Sequence, residues 1–201
     1  MTRSNDNGIY TIVLAAGAAS RFGSSKQLAK LDGISLVTRA TQIATESCDS
    51  RSVLVAGHDW YAVHRACDPW RGFLIVNDQH EKGIGSSISL AVRSVRHVAN
   101  AIVILLADQP LITSAHIAAL IEGWSGDDNE IVATAYASTL GAPALFPTDC
   151  FDDLATMTAD NGAQALFDDR RFLVQSVLFE DAAVDIDTRE DLSSLQHSAR
   201  S

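Results

Sequence analysis

Residues 12–26 read IVLAAGAASRFGSSK, and this stretch joins an apolar run to a loop of small residues. The run Ile12–Leu14 is typical of a short strand that is covered on both faces. Residues 15–19 carry almost no side-chain bulk, so their backbone N–H groups can approach a polyanion closely. Arg21 and Lys26 can neutralise such an anion. The stretch therefore predicts a phosphate-binding loop, and a nucleotide is the simplest substrate for it.

Two common phosphate loops do not fit this stretch. A Walker A loop would place a glycine directly before Lys26, where the chain has Ser25. The dinucleotide-binding fingerprint requires three glycines at fixed spacing, whereas this loop has only Gly17 and Gly23. A loop of small residues without any ligand remains as the structural alternative.

Composition narrows the class of protein. The chain has 201 residues, of which 47% are hydrophobic, and no apolar run approaches the roughly 18 residues of a membrane span. The polar first residues do not resemble a secretory signal, so we expect a single soluble domain over residues 1–201 in the cytoplasm. A net charge of −10 excludes a nucleic-acid polymer as partner, because no basic stripe could neutralise its backbone. A small anion remains possible if local cations assist.

The cysteines and histidines do not indicate a zinc site. The three cysteines are Cys48, Cys67 and Cys150, and they form no CxxC pair. We interpret them as reduced thiols, in the core or at the surface. The six histidines show no HExxH or comparable spacing.

Short apolar runs alternate with helical patterns along the chain, which indicates βαβ units. The predicted strands are Tyr10–Leu14, Ser52–Ala56, Phe73–Val76, Ala101–Leu106, Glu130–Tyr136 and Leu173–Leu178. The predicted helices are Leu36–Thr45, Ser86–Val95, Ser114–Ile121, Asn161–Phe167 and Arg189–Leu195. Such units predict an α/β fold of three layers, Rossmann-like, with a mostly parallel sheet between helices. Ligands of such sheets bind at the carboxyl ends of the strands.

Two further segments place carboxylates at strand ends. LLADQP, residues 105–110, puts Asp108 just past the most apolar strand, where a hard cation could bridge it to phosphates. Turn formation before Pro110 explains Asp108 equally well. VDIDTREDL, residues 184–192, combines a capping box at Thr188 with Asp187, which could be a second metal ligand or only a helix-entry charge.

Four motifs in the same order resemble the molybdopterin nucleotidyltransferase family, whose fold is that of nucleotide-diphospho-sugar transferases. The loop of residues 14–26 resembles LAAGxSxRMGxxK, and LADQP resembles LGDQP. NDQHEKGIGSSISL, residues 77–90, resembles NxxxxxGxxxSL, and VDIDTREDL resembles DIDTPEDL. The closest branch is molybdenum cofactor cytidylyltransferase, because relatives that use GTP usually carry LAGG where this chain has LAAG.

The resemblance implies an activity and a set of site residues. The activity is transfer of CMP from CTP to molybdopterin cofactor with release of pyrophosphate, with a molybdenum hydroxylase as a further partner. Arg21, Lys26 and Asp108 would be catalytic, and Asp108 and Asp187 would bind magnesium. The residues implied to bind the nucleotide are Leu14, Ala15, Ala16, Gly17, Arg21, Lys26, Asn77 and Ser87. Asn77 has turn formation as its structural alternative, and Ser86 and Ser87 have helix capping.

The acceptor half departs from the family pattern. GHP appears as Gly141-Ala142-Pro143, and the arginine of GDxGAR appears as Gln164. Arg189 replaces the proline of TPED. Loss of a histidine and an arginine weakens the assignment of the acceptor. Two alternatives therefore stay open: a nucleotidyltransferase for another phosphorylated acceptor, such as a sugar or sugar-acid phosphate, and a non-catalytic chaperone for molybdenum cofactor.

Overall fold

The computed structural model describes residues 8–17, 22, 25–158 and 162–198. Its main sheet has seven strands in the order β5-β4-β1-β6-β8-β7-β9, and a hairpin of β2 and β3 stands apart. The strands are β1 Ile9–Ala15, β2 Lys30–Leu31, β3 Ile34–Ser35, β4 Ser52–Ala56, β5 Phe73–Val76, β6 Ala101–Leu106, β7 Glu130–Tyr136, β8 Thr139–Pro147 and β9 Leu173–Leu178.

Helices connect the strands. The α-helices are α1 Leu36–Cys48, α2 Trp60–Ala66, α3 Ile84–Val95, α4 Ser114–Gly123, α5 Phe151–Ala155 and α6 Arg189–Ser198. Short 3-10 helices cover Lys26–Leu28, His80–Lys82, Thr148–Cys150, Ala163–Asp168 and Glu180–Ala183. In the described part of the chain, none of the helices is long and apolar enough to cross a bilayer.

The sheet is mostly parallel, as predicted. β1 runs parallel to both β4 and β6, and β7 runs parallel to β9. β8 is the exception, since it is antiparallel to β6 and β7. Helices α1, α2 and α4 pack on one face and α3 and α5 on the other. The predicted three-layer α/β fold is confirmed.

One predicted helix is wrong, and one structural alternative does not hold. The segment predicted as a helix over Asn161–Phe167 forms the 3-10 helix Ala163–Asp168, and Asn161 itself lies outside the described residues. Ser86 and Ser87 do not cap α3, because Gly83 is the N-cap residue and both serines lie in the first turn. Gly83 has a φ of 100°, a backbone conformation that glycine adopts without strain.

A small cluster of buried residues, separate from those on the two faces of the sheet, joins the segment after β1 to the last helix. Phe22, Leu36 and Ile186 belong to this cluster, and Leu192 of α6 packs against it. Arg189 adds a polar link, because its Nε donates to the carbonyl of Phe22 at 3.2 Å. The C-terminal part of the described chain is thereby held against the loop that follows β1.

Candidate active site

The sheet topology brings two of the predicted site residues to the same edge. β1 and β6 are parallel neighbours, and Leu14 pairs with Leu106 at the ends of the two strands. The chain leaving β1 therefore emerges beside the chain leaving β6. Lys26 follows the first of these strands and Asp108 follows the second.

Lys26 forms ion pairs with two carboxylates from distant parts of the chain. Its Nζ donates to Asp108 Oδ2 at 2.8 Å and to Asp187 Oδ1 at 2.9 Å. The Lys26 side chain is only 12% exposed, whereas those of Asp108 and Asp187 are 29% and 48% exposed, so water reaches these ion pairs from the side of the carboxylates. The three residues predicted from separate motifs thus meet in one cleft.

The ionisation behaviour of this cluster reflects its surplus of negative charge. Burial alone would lower the pKa of Lys26, but the charges and hydrogen bonds of Asp108 and Asp187 raise its pKa above the ordinary value. A third carboxylate, Asp185, lies nearby, and its pKa is raised to about 6 by burial and then by the charges of Asp108 and Asp187. One ammonium among three carboxylates makes the cleft attractive to an additional cation.

Asp187 is held in place by its backbone and by the helix that follows. The N–H of Ile186 donates to the carbonyl of Asp108 at 2.9 Å. Asp191 Oδ2 accepts from the N–H groups of Asp187 at 3.0 Å and Thr188 at 2.7 Å, while Thr188 Oγ1 accepts from the N–H of Asp191. The predicted capping box at Thr188 is therefore present, and it fixes the direction in which Asp187 leaves the backbone.

A cavity of about 330 Å³ opens beside the ion pairs. The predicted site residues that line it are Leu14, Ala16, Gly17, Lys26, Ser87 and Asp108. A second cavity of about 330 Å³ adjoins it, where Ala15 meets Gly57 and His80. Ala16 and Gly17 line both cavities, which together offer room for a base, a ribose and phosphates.

Asn77 and Ser87 form part of the framework of this cleft. Asn77 Nδ2 donates to Ser86 Oγ and Ser87 Oγ, each at 2.9 Å, and Asn77 Oδ1 accepts from the N–H of Gln79. The last bond is the turn that was the structural alternative for Asn77. Ser87 lines the first cavity, whereas Asn77 is buried behind it.

Comparison with known proteins identifies the family. The family model for the MobA-like NTP transferase domain matches residues 11–175. The chain belongs to this family. The prediction of molybdopterin nucleotidyltransferase relatives is thereby confirmed at the level of the family, and so is the general class of nucleotidyltransferase.

Individual relatives of this MobA-like NTP transferase domain cover nearly its whole length. Purine catabolism protein PucB of Bacillus subtilis (strain 168) is 28% identical over 198 residues, which span 93% of this chain and 95% of PucB. The crystal structure of Rv0371c from Mycobacterium tuberculosis H37Rv has a TM-score of 0.84 at 28% identity, covering 98% of this chain and 100% of that one.

Two more solved structures extend the comparison. The Rv0371c homolog from Mycobacterium sp. strain JC1 has a TM-score of 0.83 at 30% identity, covering 99% of this chain and 98% of that one. Rv0371c was also solved in complex with manganese, with a TM-score of 0.78 at 27% identity, covering 95% of this chain and 99% of that one.

The predicted phosphate-binding residue Arg21 lies outside the described residues of this MobA-like domain, as do its neighbours Ser20 and Gly23. Phe22 is described, and it is buried against Ile186. The guanidinium of Arg189 lies 5.7 Å from the centre of the Phe22 ring. The arginine that replaces the family's proline therefore supports the end of the loop.

Three residues at the site escaped the sequence analysis. Gln27 is buried, and its Nε2 donates to the carbonyl of Gly17 at 2.9 Å, which closes the base of the loop. Asp185 belongs to the carboxylate cluster, although only its neighbour Asp187 stood out in the motif. Gln109 is buried beside Asp108. Asp185 belongs to the DIDT motif and Gln109 to the ADQP motif, whereas Gln27 belongs to neither. All three act through tertiary contacts, which the sequence pattern does not report.

The donor set of the cleft fits a small, hard cation. Asp108 and Asp187 both direct a carboxylate oxygen to the Nζ of Lys26, so a single positive centre can contact both. Among residues 8–17, 22, 25–158 and 162–198, no group of three His, Cys, Asp or Glu side chains could enclose a metal ion. Magnesium commonly binds through one or two carboxylates and completes its shell with water and substrate phosphates.

A third cavity, of about 280 Å³, has Asp185 in its lining. It contains two of the positions where this MobA-like domain departs from the family motifs, Ala142 and Gln164. Tyr136 lines the same cavity, and burial together with the charge of Asp185 raises the pKa of its phenol. The cavity is next to the carboxylate cluster, because Asp185 belongs to both.

Proposed function

We propose that the chain transfers CMP from CTP to the terminal phosphate of molybdopterin cofactor, releases pyrophosphate, and uses Mg²⁺. The observation that carries the proposal is the meeting of Lys26 with Asp108 and Asp187, at 2.8 and 2.9 Å, beside the loop that follows β1. A cation-binding pair of carboxylates next to a small-residue loop suits a bound triphosphate.

The reaction requires positioning and charge compensation rather than a covalent nucleophile. An oxygen of the acceptor phosphate forms a bond to the α-phosphorus, and the bond from that phosphorus to the bridging oxygen breaks, so the electron pair leaves on pyrophosphate. Lys26 stabilises the negative charge on the phosphates as it develops. Asp108 and Asp187 would hold Mg²⁺, which supplies further charge neutralisation and orientation when bound.

The loop itself contributes selection of the base. Ala16 is 6% exposed and lines both cavities of the cleft, at the position where GTP-using relatives of the motif usually carry glycine. An alanine at this position leaves less room in the cavities than a glycine does, which supports a preference for the smaller cytosine. We expect Ala16→Gly to raise the relative use of GTP.

Relatives support parts of the proposal. The Rv0371c structure with manganese makes a divalent cation plausible in this chain, since manganese prefers the same oxygen ligands as magnesium. PucB is named as a purine catabolism protein, and a molybdenum hydroxylase that oxidises purines would be one recipient of a finished cofactor. A cytoplasmic location and a single domain stay predictions.

A second candidate function rests on the third cavity. Ala142 and Gln164 line it where the family motifs have histidine and arginine, so the recognition of the acceptor differs from the family pattern. The chain would then be a nucleotidyltransferase for another phosphorylated acceptor, such as a sugar or sugar-acid phosphate. A cofactor chaperone without catalysis is less well supported, because a carrier has no need for the pairing of Lys26 with two carboxylates.

One assay separates these candidates. The purified protein is incubated with Mg²⁺, each of the four nucleoside triphosphates in turn, and either molybdenum cofactor or a sugar phosphate, and both pyrophosphate release and binding of the cofactor are measured. Release with CTP and the cofactor supports the proposal, whereas release only with a sugar phosphate supports the second candidate. Binding of the cofactor without any release indicates the chaperone. A thermal shift with CTP that equals the shift with GTP would contradict the preference for cytidine.

A further inference from the structure

We propose that Gln109 is a positioning residue that sets the separation of Asp108 and Asp187. This inference rests on the cation site of the proposed function. Gln109 is only 4% exposed, and its Nε2 donates to the carbonyl of Ala142 at 3.0 Å and to that of Ala182 at 2.9 Å. A single buried amide thus ties the end of β6 to two other segments.

The two hydrogen bonds fix the orientation of the amide. Both N–H groups of Gln109 are used by backbone carbonyls, so turning the amide over would set its oxygen against two carbonyl oxygens. No other neutral side chain of this length presents two donors on one nitrogen. The requirement at this position is therefore for glutamine rather than for any buried polar residue.

The segments that Gln109 joins are those that shape the cleft. Ala182 lies in the 3-10 helix Glu180–Ala183, which leads directly to Asp185 and Asp187. Ala142 lies on β8, in the wall of the third cavity. Gln109 directly follows Asp108, so its side chain holds the segment that carries one carboxylate at a fixed distance from the other.

A second link runs in parallel with the first. The N–H of Ile186 donates to the carbonyl of Asp108 at 2.9 Å, one residue before Asp187. This backbone bond prevents the strand end and the later segment from separating, but a single bond leaves them free to pivot. The bond from Gln109 to Ala182 supplies the second point that stops such a rotation.

The remaining atom of the amide argues against a purely stabilising role. Gln109 Oε1 is buried and has no hydrogen-bond partner in the described structure. An unpaired buried acceptor costs free energy, so a side chain selected for stability alone would not leave one here. The presence of a glutamine at this position is explained if its two N–H donors are needed for the geometry of the cleft.

The test measures binding of Mn²⁺ alone, by electron paramagnetic resonance, in the full-length protein. Gln109→Met keeps the length and volume of the side chain but removes both donors, and Gln109→Asn keeps the donors but shortens their reach. Ser52→Ala is the matched control, because it removes a buried acceptor that Trp70 Nε1 contacts at 3.0 Å at the other end of the sheet. We expect about 10-fold weaker Mn²⁺ binding in both Gln109 variants and unchanged binding in the control.

A second measurement does not depend on the metal. Hydrogen exchange followed by mass spectrometry should show faster exchange over residues 180–187 in the Gln109 variants and not in Ser52→Ala. Unchanged exchange and unchanged Mn²⁺ affinity in a folded Gln109 variant would overturn the inference. Should Gln109→Met fail to fold, Gln109→Asn decides.

Failure of the proposed reaction can be distinguished from failure of the role of Gln109. A wild-type protein that binds no Mn²⁺ overturns the cation site and this inference with it. A wild-type protein that binds Mn²⁺ but releases no pyrophosphate from any nucleotide overturns the proposed reaction and leaves the role of Gln109 standing.

Discussion

Lys26 Nζ lies 2.8 Å from Asp108 Oδ2, so the ammonium group occupies the position beside this carboxylate that a metal ion would take. Two positive centres repel each other at such a distance. Binding of a metal therefore requires the Lys26 side chain to move, and the adjoining cavity gives it a path towards the phosphates of a nucleotide.

The competition between Lys26 and a metal gives a prediction of unusual sign. Lys26→Ala should bind Mn²⁺ alone more tightly than the wild type, because the ammonium no longer competes for Asp108 and Asp187. The same variant should bind CTP with Mg²⁺ more weakly, because it has lost a phosphate contact. Calorimetric titration of each ligand checks both, and Lys30→Ala, which changes an exposed lysine, is the control. Weaker binding of Mn²⁺ in Lys26→Ala would contradict the competition between the ammonium group and the metal ion.

Removal of either paired group should lower turnover. Asp108→Ala and Lys26→Ala should each lose roughly 100-fold or more in kcat, the scale of one preorganised electrostatic contact. Pyrophosphate release under saturating Mg²⁺ and CTP measures this loss. Glu122→Ala removes an exposed carboxylate on α4 and should keep the wild-type rate. Near-normal turnover in Asp108→Ala would refute its assignment.

Gly141 packs tightly against Tyr136, which lines the third cavity. A Cβ added there would lie 2.1 Å from Tyr136 Oη and 2.8 Å from Tyr136 Cζ. Gly141→Ala should therefore destabilise the fold by about 1–3 kcal/mol, as overpacking does. Urea unfolding measures the change, with Gly162→Ala as the control, since an added methyl group there meets nothing within 4 Å. Introducing Tyr136→Phe into Gly141→Ala should restore part of the loss, because it removes the nearest atom.

The buried histidine of α4 makes the fold sensitive to acid. His116 is 5% exposed, its Nε2 is hydrogen-bonded to Thr134 Oγ1 at 2.7 Å, and burial lowers its pKa. Below about pH 6.5 the unfolded chain takes up this proton before the folded chain does. The free energy of unfolding should therefore fall as the pH drops through 6.5, until the lower pKa of the folded state is passed.

Comparison of two variants tests this pH dependence. His116→Gln should reduce the difference in stability between about pH 7.5 and about pH 5 that urea unfolding detects in the wild type. His97→Gln, at an exposed histidine, should leave that difference intact. An equal pH dependence in wild type and His116→Gln would show that other groups control the acid sensitivity.

The regular part of the fold was readable from the chain because apolar runs mark buried strands. The predicted strands Ser52–Ala56, Ala101–Leu106 and Glu130–Tyr136 have the bounds seen in the structure. The strand β8 was missed, because Gly141 and Pro143 are typical of strand breaks. A register shift between Ala133 and Thr134 of β7 accommodates this irregular partner, and no local sequence pattern reports such a shift.

The site was predictable where chemistry coincides with a strand end. Lys26 and Asp108 were identified in this way, Asp187 was identified through the resemblance to the family, and the structure brings the three together. Gln27 and Gln109 could not be recognised, because an isolated glutamine carries no sign of whether its amide will meet water or a buried carbonyl. The antiparallel strand β8 was a further departure, because alternating βαβ units predict parallel strands only.

The partners of Lys26 lie 82 and 161 residues further along the chain. Bringing such distant positions together costs loop-closure entropy, although this cost grows only slowly with the length of the loop. During synthesis the nucleotide loop would leave the ribosome well before its last carboxylate exists. A protein truncated after β9 would retain every strand of the described sheet but lack Asp187, so we expect its Lys26 to keep Asp108 as a partner and lose the second carboxylate.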